Sequence, residues 1–176
     1  VTAPLTAPVE TPTPERLDGY GWLLGKPFPT EDSAEAYRNS ASGFWSEHIF
    51  DPGEGGETEV LWVDYADPNP VVGKLETHHR TQQAVVPLTG EIIQILALSG
   101  GDGAPDLSSL RAFRLAPGIG LCMRPGVWHA TRSQGAQCLM LTRRSTTLDL
   151  VKHLKVGEPC AESEVRDITP IRLDER

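Results

Sequence analysis

From Gly43 onward the chain breaks into short runs in which apolar and polar residues alternate, the period-two signature of half-buried strands. The pattern predicts strands over Phe44–Phe50, Glu59–Tyr65, Val72–Arg80, Gln83–Leu88, Ile92–Leu98, Ala112–Leu115, Gly120–Arg124, Trp128–Ser133 and Gln137–Thr142. Turn signals separate them, among them Asp51-Pro52-Gly53, Asp67-Pro68-Asn69-Pro70, Thr89-Gly90, Pro117-Gly118 and Pro125-Gly126. One short helix is expected from the capping oxygens and acids of Thr30–Ser33 to about Asn39, and one helical turn at Asp106–Leu110. Many short strands without intervening helices predict an all-β antiparallel sandwich or barrel.

The ends read differently. Residues 1–14 repeat Thr, Ala and Pro without period and are expected to form a flexible arm or strap. Residues 15–155 are expected to form the barrel domain, and 156–176 a charged tail that wraps the surface. Leu17–Phe28 looks like an irregular, packed entry to that domain.

With 176 residues, one domain with a sizeable core is expected. The net charge of −8 argues against nucleic acid and against an anionic membrane surface as partner. No apolar run approaches a membrane span and no signal peptide opens the chain, so a cytoplasmic enzyme or binding protein is expected. Cys122, Cys138 and Cys160 lack metal-knuckle spacing and read as small buried or incidental thiols.

The chemistry concentrates at Glu76, His78, Gln83 and His129. Residues two apart on a strand share a face, so Glu76 and His78 project side by side, and Gln83 and His129 can join them from neighbouring strands. The same alternation turns Lys74 and Arg80 to that face; the alternative is a solvated row. His79 then faces away, and His48 and His153 are expected at the surface. His129 follows a Pro-Gly turn at the start of a strand, where propensity gives a histidine no reason to sit.

The segment Gly120–His129 resembles the second motif of the cupin superfamily, in which a Pro/Gly turn precedes a metal-binding histidine. Glu76-x-His78, Gln83 and Gly90 are similar to the first motif, with Glu76 in place of its first histidine and Gln83 in place of its carboxylate. The pattern Leu75-Glu76-x-His78, Gln83, Pro87-Leu88, Pro105-Asp106, Gly118-x-Gly120 and Trp128-His129 resembles the ureidoglycolate lyase family over roughly residues 58–144. That resemblance implies a cupin-type antiparallel β-barrel (a double-stranded β-helix) with one or two short helices. It also implies cleavage of ureidoglycolate, a carbinol-amide of a small 2-hydroxy acid, to glyoxylate and urea, and by kinship with the superfamily a homodimer. The family commonly follows its Trp-His with a second His and a Pro. This chain has Ala130-Thr131 instead, which would remove a substrate contact or proton-transfer group.

On this reading Glu76 or His78 is the base, His129 the acid, and Glu76, His78, Gln83 and His129 hold one divalent ion, Mn, Fe, Ni or Zn. A metal-free site working by hydrogen bonds is the alternative, because Gln83 is a neutral ligand. Lys74 and Arg143 are the candidate anchors for a small-molecule carboxylate substrate, with Gln83 contributing. The competing functions are a cupin isomerase, dehydratase or oxygenase acting on another small acid, and a small-acid-binding cupin without turnover.

Overall fold

The computed structural model of the chain describes residues 5–176. Along it run β1 (Leu5–Glu10), β2 (Gly21–Leu24), β3 (Ala36–Arg38), β4 (Gly43–Trp45), β5 (Thr58–Tyr65), β6 (Val71–His78) and β7 (Gln83–Thr89). Then follow β8 (Ile92–Ser99), β9 (Pro105–Leu115), β10 (Gly120–Met123), β11 (Trp128–Arg132), β12 (Ala136–Arg143), helix α1 (Arg144–Val156) and β13 (Ser163–Asp174). Six strands close a barrel in the order β1-β13-β6-β11-β8-β9, and five form a sheet in the order β2-β10-β7-β12-β5. Every pairing is antiparallel except those of β1, which lies parallel to β13 and β9 and closes the ring. The fold is an all-β barrel with, among the described residues, a single helix.

Two cores result, and β8 is the wall between them. Ile92 and Leu96 pack with Val85, Leu121, Met123, Cys138 and Met140 of the five-stranded sheet. Ile93, Ile95 and Ala97 point the other way, toward Val72, Leu75, Ala112, Trp128 and Leu173 inside the closed barrel. A strand covered on both faces needs a nearly unbroken apolar run, and Ile92–Leu98 supplies one, interrupted only by Gln94.

Four expectations are corrected. Leu5–Glu10, expected within a flexible arm, is a barrel strand with Ala7 buried; residues 1–4 of that arm lie outside the described residues. The expected charged tail contains β13, whose Ile171 and Leu173 enter the closed core. Composition hid the period. The expected helix near Thr30–Asn39 is instead the β3–β4 hairpin, where Tyr37 and Phe44 pair across the strands. The expected turn at Asp106–Leu110 is the first half of β9. Among the described residues no helix is long and apolar enough to cross a membrane.

Candidate active site

Three elements bring the polar residues together. Glu76 and His78 end β6, and Glu76 lies directly across from His129 on β11. The Pro125-Gly126 turn sets that register: the Gly126 N–H donates to the His78 carbonyl at 2.8 Å. Gly126 has φ +80°, a left-handed conformation that glycine adopts without penalty. Trp128 then points into the closed core, its indole N–H donating to Ser99 Oγ and the Gly103 carbonyl. His129, the next residue, must face the other way.

That other side is the space between the closed barrel and the five-stranded sheet. There one ligating atom each from Glu76, His78 and His129 lies within 4.8 Å of the others. The two imidazole rings are 5.1 Å apart between centroids, and His129 Nε2 is 3.4 Å from a Glu76 oxygen. His78 and His129 are buried and Glu76 half-buried.

The second nitrogen of each ring is engaged. His129 Nδ1 meets the Val127 carbonyl at 3.1 Å. A carbonyl can only accept, so Nδ1 carries the proton and Nε2 of the neutral ring presents a lone pair. That Nε2 is buried and has no hydrogen-bond partner. His78 Nδ1 contacts Ser163 Oγ at 2.7 Å, and Ser163 is the residue across from it on β13. Burial pushes the His78 imidazole down, and the nearby His129 adds to this, to about 4. Burial works to raise the Glu76 carboxyl, and the adjoining imidazoles of His129 and His78, whenever they carry charge, outweigh it and lower the carboxyl to about 2.

A cavity of about 160 Å³ opens from Glu76, His78 and Gln83. Its walls are Leu61, Val63 and Tyr65 of β5, Met140 and Thr142 of β12, and Thr146, Thr147 and Leu150 of α1. The helix caps the cavity because its start is pinned. The buried Glu162 carboxylate accepts from Ser145 Oγ and Thr146 Oγ1, and Asp149 accepts from the backbone N–H groups of Ala161 and Glu162.

Of the sequence-predicted residues, Glu76, His78, Gln83 and His129 are brought together here. Lys74 and Arg143 are not. Lys74 is 72% exposed and pairs with Asp167, its neighbour on β13. The Arg143 guanidinium is buried and occupied: it donates to the Pro52 and Glu54 carbonyls and to Ser145 Oγ. It clamps the 52–54 loop to the start of α1. Arg80, largely exposed, pairs with Glu162. Ala130 packs against the closed-barrel core, so a side chain at this position faces away from Glu76 and His78. The departure from Trp-His-His therefore removes no group from this cavity. Tyr65, Thr146, Thr147 and Ser163 went unnoticed in the sequence. Only Tyr65 carried a signal, because the alternation Leu61, Val63, Tyr65 places it on the inward row of its strand.

A divalent ion fits the donor set. A bare histidine lone pair and a carboxylate oxygen facing each other at 3.4 Å repel unless a positive charge lies between them, and both second-nitrogen contacts orient the rings as ligands.

The family model for ureidoglycolate lyase matches residues 62–160, over half of the chain. The chain is 47% identical over 60 residues to a ureidoglycolate lyase of Salmonella paratyphi B, covering 34% of this chain and 36% of that protein. It is 38% identical over 58 residues to a ureidoglycolate lyase of Escherichia coli O1:K1, covering 33% and 36%. The matched stretch thus spans about a third of the length of these curated relatives. Among solved structures, a dTDP sugar isomerase of Desulfovibrio desulfuricans aligns over 85% of this chain and 84% of its own with a TM-score of 0.44 and 14% identity. A sugar 3,4-ketoisomerase of Thermoanaerobacterium thermosaccharolyticum aligns over 68% and 77%, with a TM-score of 0.40 and 18% identity.

Proposed function

The chain belongs to the ureidoglycolate lyase family, and on that premise we propose that its cavity cleaves ureidoglycolate, or a close carbinol-amide of a small 2-hydroxy acid, to glyoxylate and urea. The observation that carries this reading is the convergence of Glu76, His78 and His129 within 4.8 Å, two of them in the wall of a small cavity. The cavity has room for about five waters at roughly 30 Å³ each, the scale of a small acid.

Cleavage needs the hydroxyl proton removed, the C–N bond broken as the carbon becomes a carbonyl, and a proton delivered to the leaving nitrogen. The hydroxyl and the nitrogen share one carbon, so a single carboxylate can take the proton from the first and give it to the second. Glu76, held deprotonated, is suited to this. Glu76, His78 and His129 would hold a divalent ion, and a bound ion would polarise the hydroxyl and carboxylate oxygens of the substrate. Glu76 has two oxygens, so it would hold the ion and still have one to carry the proton. His129, expected as the acid, serves better as ligand or acceptor, since its nitrogen facing Glu76 carries a lone pair. Thr146, Thr147 and Leu150 of the capping helix exclude water above the reacting atoms.

Elemental analysis of purified protein, run beside a glyoxylate-release assay with ureidoglycolate, tests the proposal. A bound divalent ion with glyoxylate release supports it; no release by metal-replete protein overturns it. We also propose a homodimer, favoured by Val60 and Trp62, which stand 61% and 64% exposed on the outer face of β5. Light scattering checks the mass.

A further inference from the structure

The polar wall of the cavity holds a buried acceptor, identified by the contact its amide nitrogen makes. Gln83 is 7% exposed, and its amide nitrogen lies 3.1 Å from Met140 Sδ. Reversing the amide would set a carbonyl oxygen against a sulfur lone pair, so the nitrogen belongs there and Oε1 is the free end. Gln83 Oε1 is buried and has no hydrogen-bond partner.

Tyr65 lines the same cavity as Gln83 and Glu76, and its phenol oxygen carries lone pairs that accept as well as a proton that donates. No lysine or arginine is among the residues lining this cavity.

A buried acceptor left unpaired forfeits its hydration, which a ligand bringing its own donors recovers. A ureido group has N–H donors on both nitrogens; a plain hydroxy acid has none. We infer that Gln83 and Tyr65 read the ureido end of the ligand through Gln83 Oε1 and Tyr65 Oη, and that Gln83 is a specificity residue rather than a ligand of the ion. This rests on the lyase reading for the choice of ligand and goes beyond it in assigning the discrimination to two side chains. It also explains an amide at position 83: a carboxylate there would add a second negative charge beside Glu76 and repel an anionic substrate.

The test uses two probes that cannot react. N-Carbamoylglycine carries the ureido group and the carboxylate without the hydroxyl; glycolate carries the hydroxyl and carboxylate without the ureido group. Binding of each is measured by calorimetry on full-length wild type, Gln83→Leu and Tyr65→Phe, with bound metal quantified in the same samples. The expected result is about a tenfold loss of N-carbamoylglycine affinity in Gln83→Leu and about a threefold to tenfold loss in Tyr65→Phe. Glycolate affinity and metal content should hold steady in both. Loss of metal from Gln83→Leu, equal loss of both probes, or loss of neither overturns the inference. Tyr65→Phe deletes one oxygen and keeps the ring, so it decides the matter even where Gln83→Leu fails to fold. A wild type that releases no glyoxylate, yet shows the split between probes, sinks the lyase reading and leaves this one standing.

Discussion

Inside the closed barrel, Val72, Leu75, Ile95, Ala97 and Trp128 meet with almost no polar atom among them. On the opposite faces of the same strands, Glu76, His78, Gln94 and His129 look toward the five-stranded sheet. The closed compartment has six strands contributing to one apolar core. The open compartment is roofed by a separate sheet and by α1, so its walls part enough to leave a cavity. One strand can therefore serve stability on one face and chemistry on the other, because successive side chains along Leu75–His78 and at Trp128-His129 point to opposite sides. Thr77 is the exception in the closed compartment: it is 1% exposed and its hydroxyl has no partner.

Substitutions on the two faces should separate stability from activity. Trp128→Ala, on the closed side, should lose about 3–5 kcal/mol of unfolding free energy, read from denaturant titration. A loss below about 1 kcal/mol would mean that the closed core is not what holds the barrel together. His78→Ala, on the open side, should lower glyoxylate release at least about a hundredfold while shifting the denaturation midpoint far less than Trp128→Ala does. Near-normal turnover removes His78 from the mechanism.

Acid should expose the open side next. In chelator-treated protein the unfolded chain protonates His78 near 6.5 and Glu76 near 4.5, whereas the native state holds them at about 4 and about 2. The unfolded state thus binds more protons as pH falls, and stability declines from about pH 6.5 downward and continues to fall toward pH 2. His78→Ala should flatten the limb between 6.5 and 4, which a series of melts across that range would register. The smallest effect belongs to Thr77→Val. Replacing an unpartnered buried hydroxyl by a methyl of the same shape should stabilise the fold by up to about 1 kcal/mol, and clear destabilisation would mean that the hydroxyl has a partner.

Much of the open side was legible in the sequence. Glu76 and His78 two apart, and His129 after a Pro-Gly turn, announced themselves because strand alternation and turn geometry are local properties. Gln83 was legible as the first residue of the next strand. Lys74 and Arg143 were misread for one reason: charge suggests a role in binding, but whether a charge is free depends on its neighbours. Asp167 meets Lys74 in the exposed edge of a strand pair, and backbone carbonyls of a distant loop consume Arg143. Ser163 was invisible, since its importance lies in standing across from His78 and not in any pattern of its own segment.

By itself the sequence determined the strand periods, the turns and the three side chains able to bind a metal or move a proton, all of which follow from spacing along a few residues. Tertiary structure alone decided which face of each strand met a dry core and which met a cavity, that β1 and β13 would complete the barrel, and which buried acceptors would be left without donors. Those outcomes depend on pairings between residues far apart in the chain, where the free energy of burying an apolar face, and not local propensity, selects the partner.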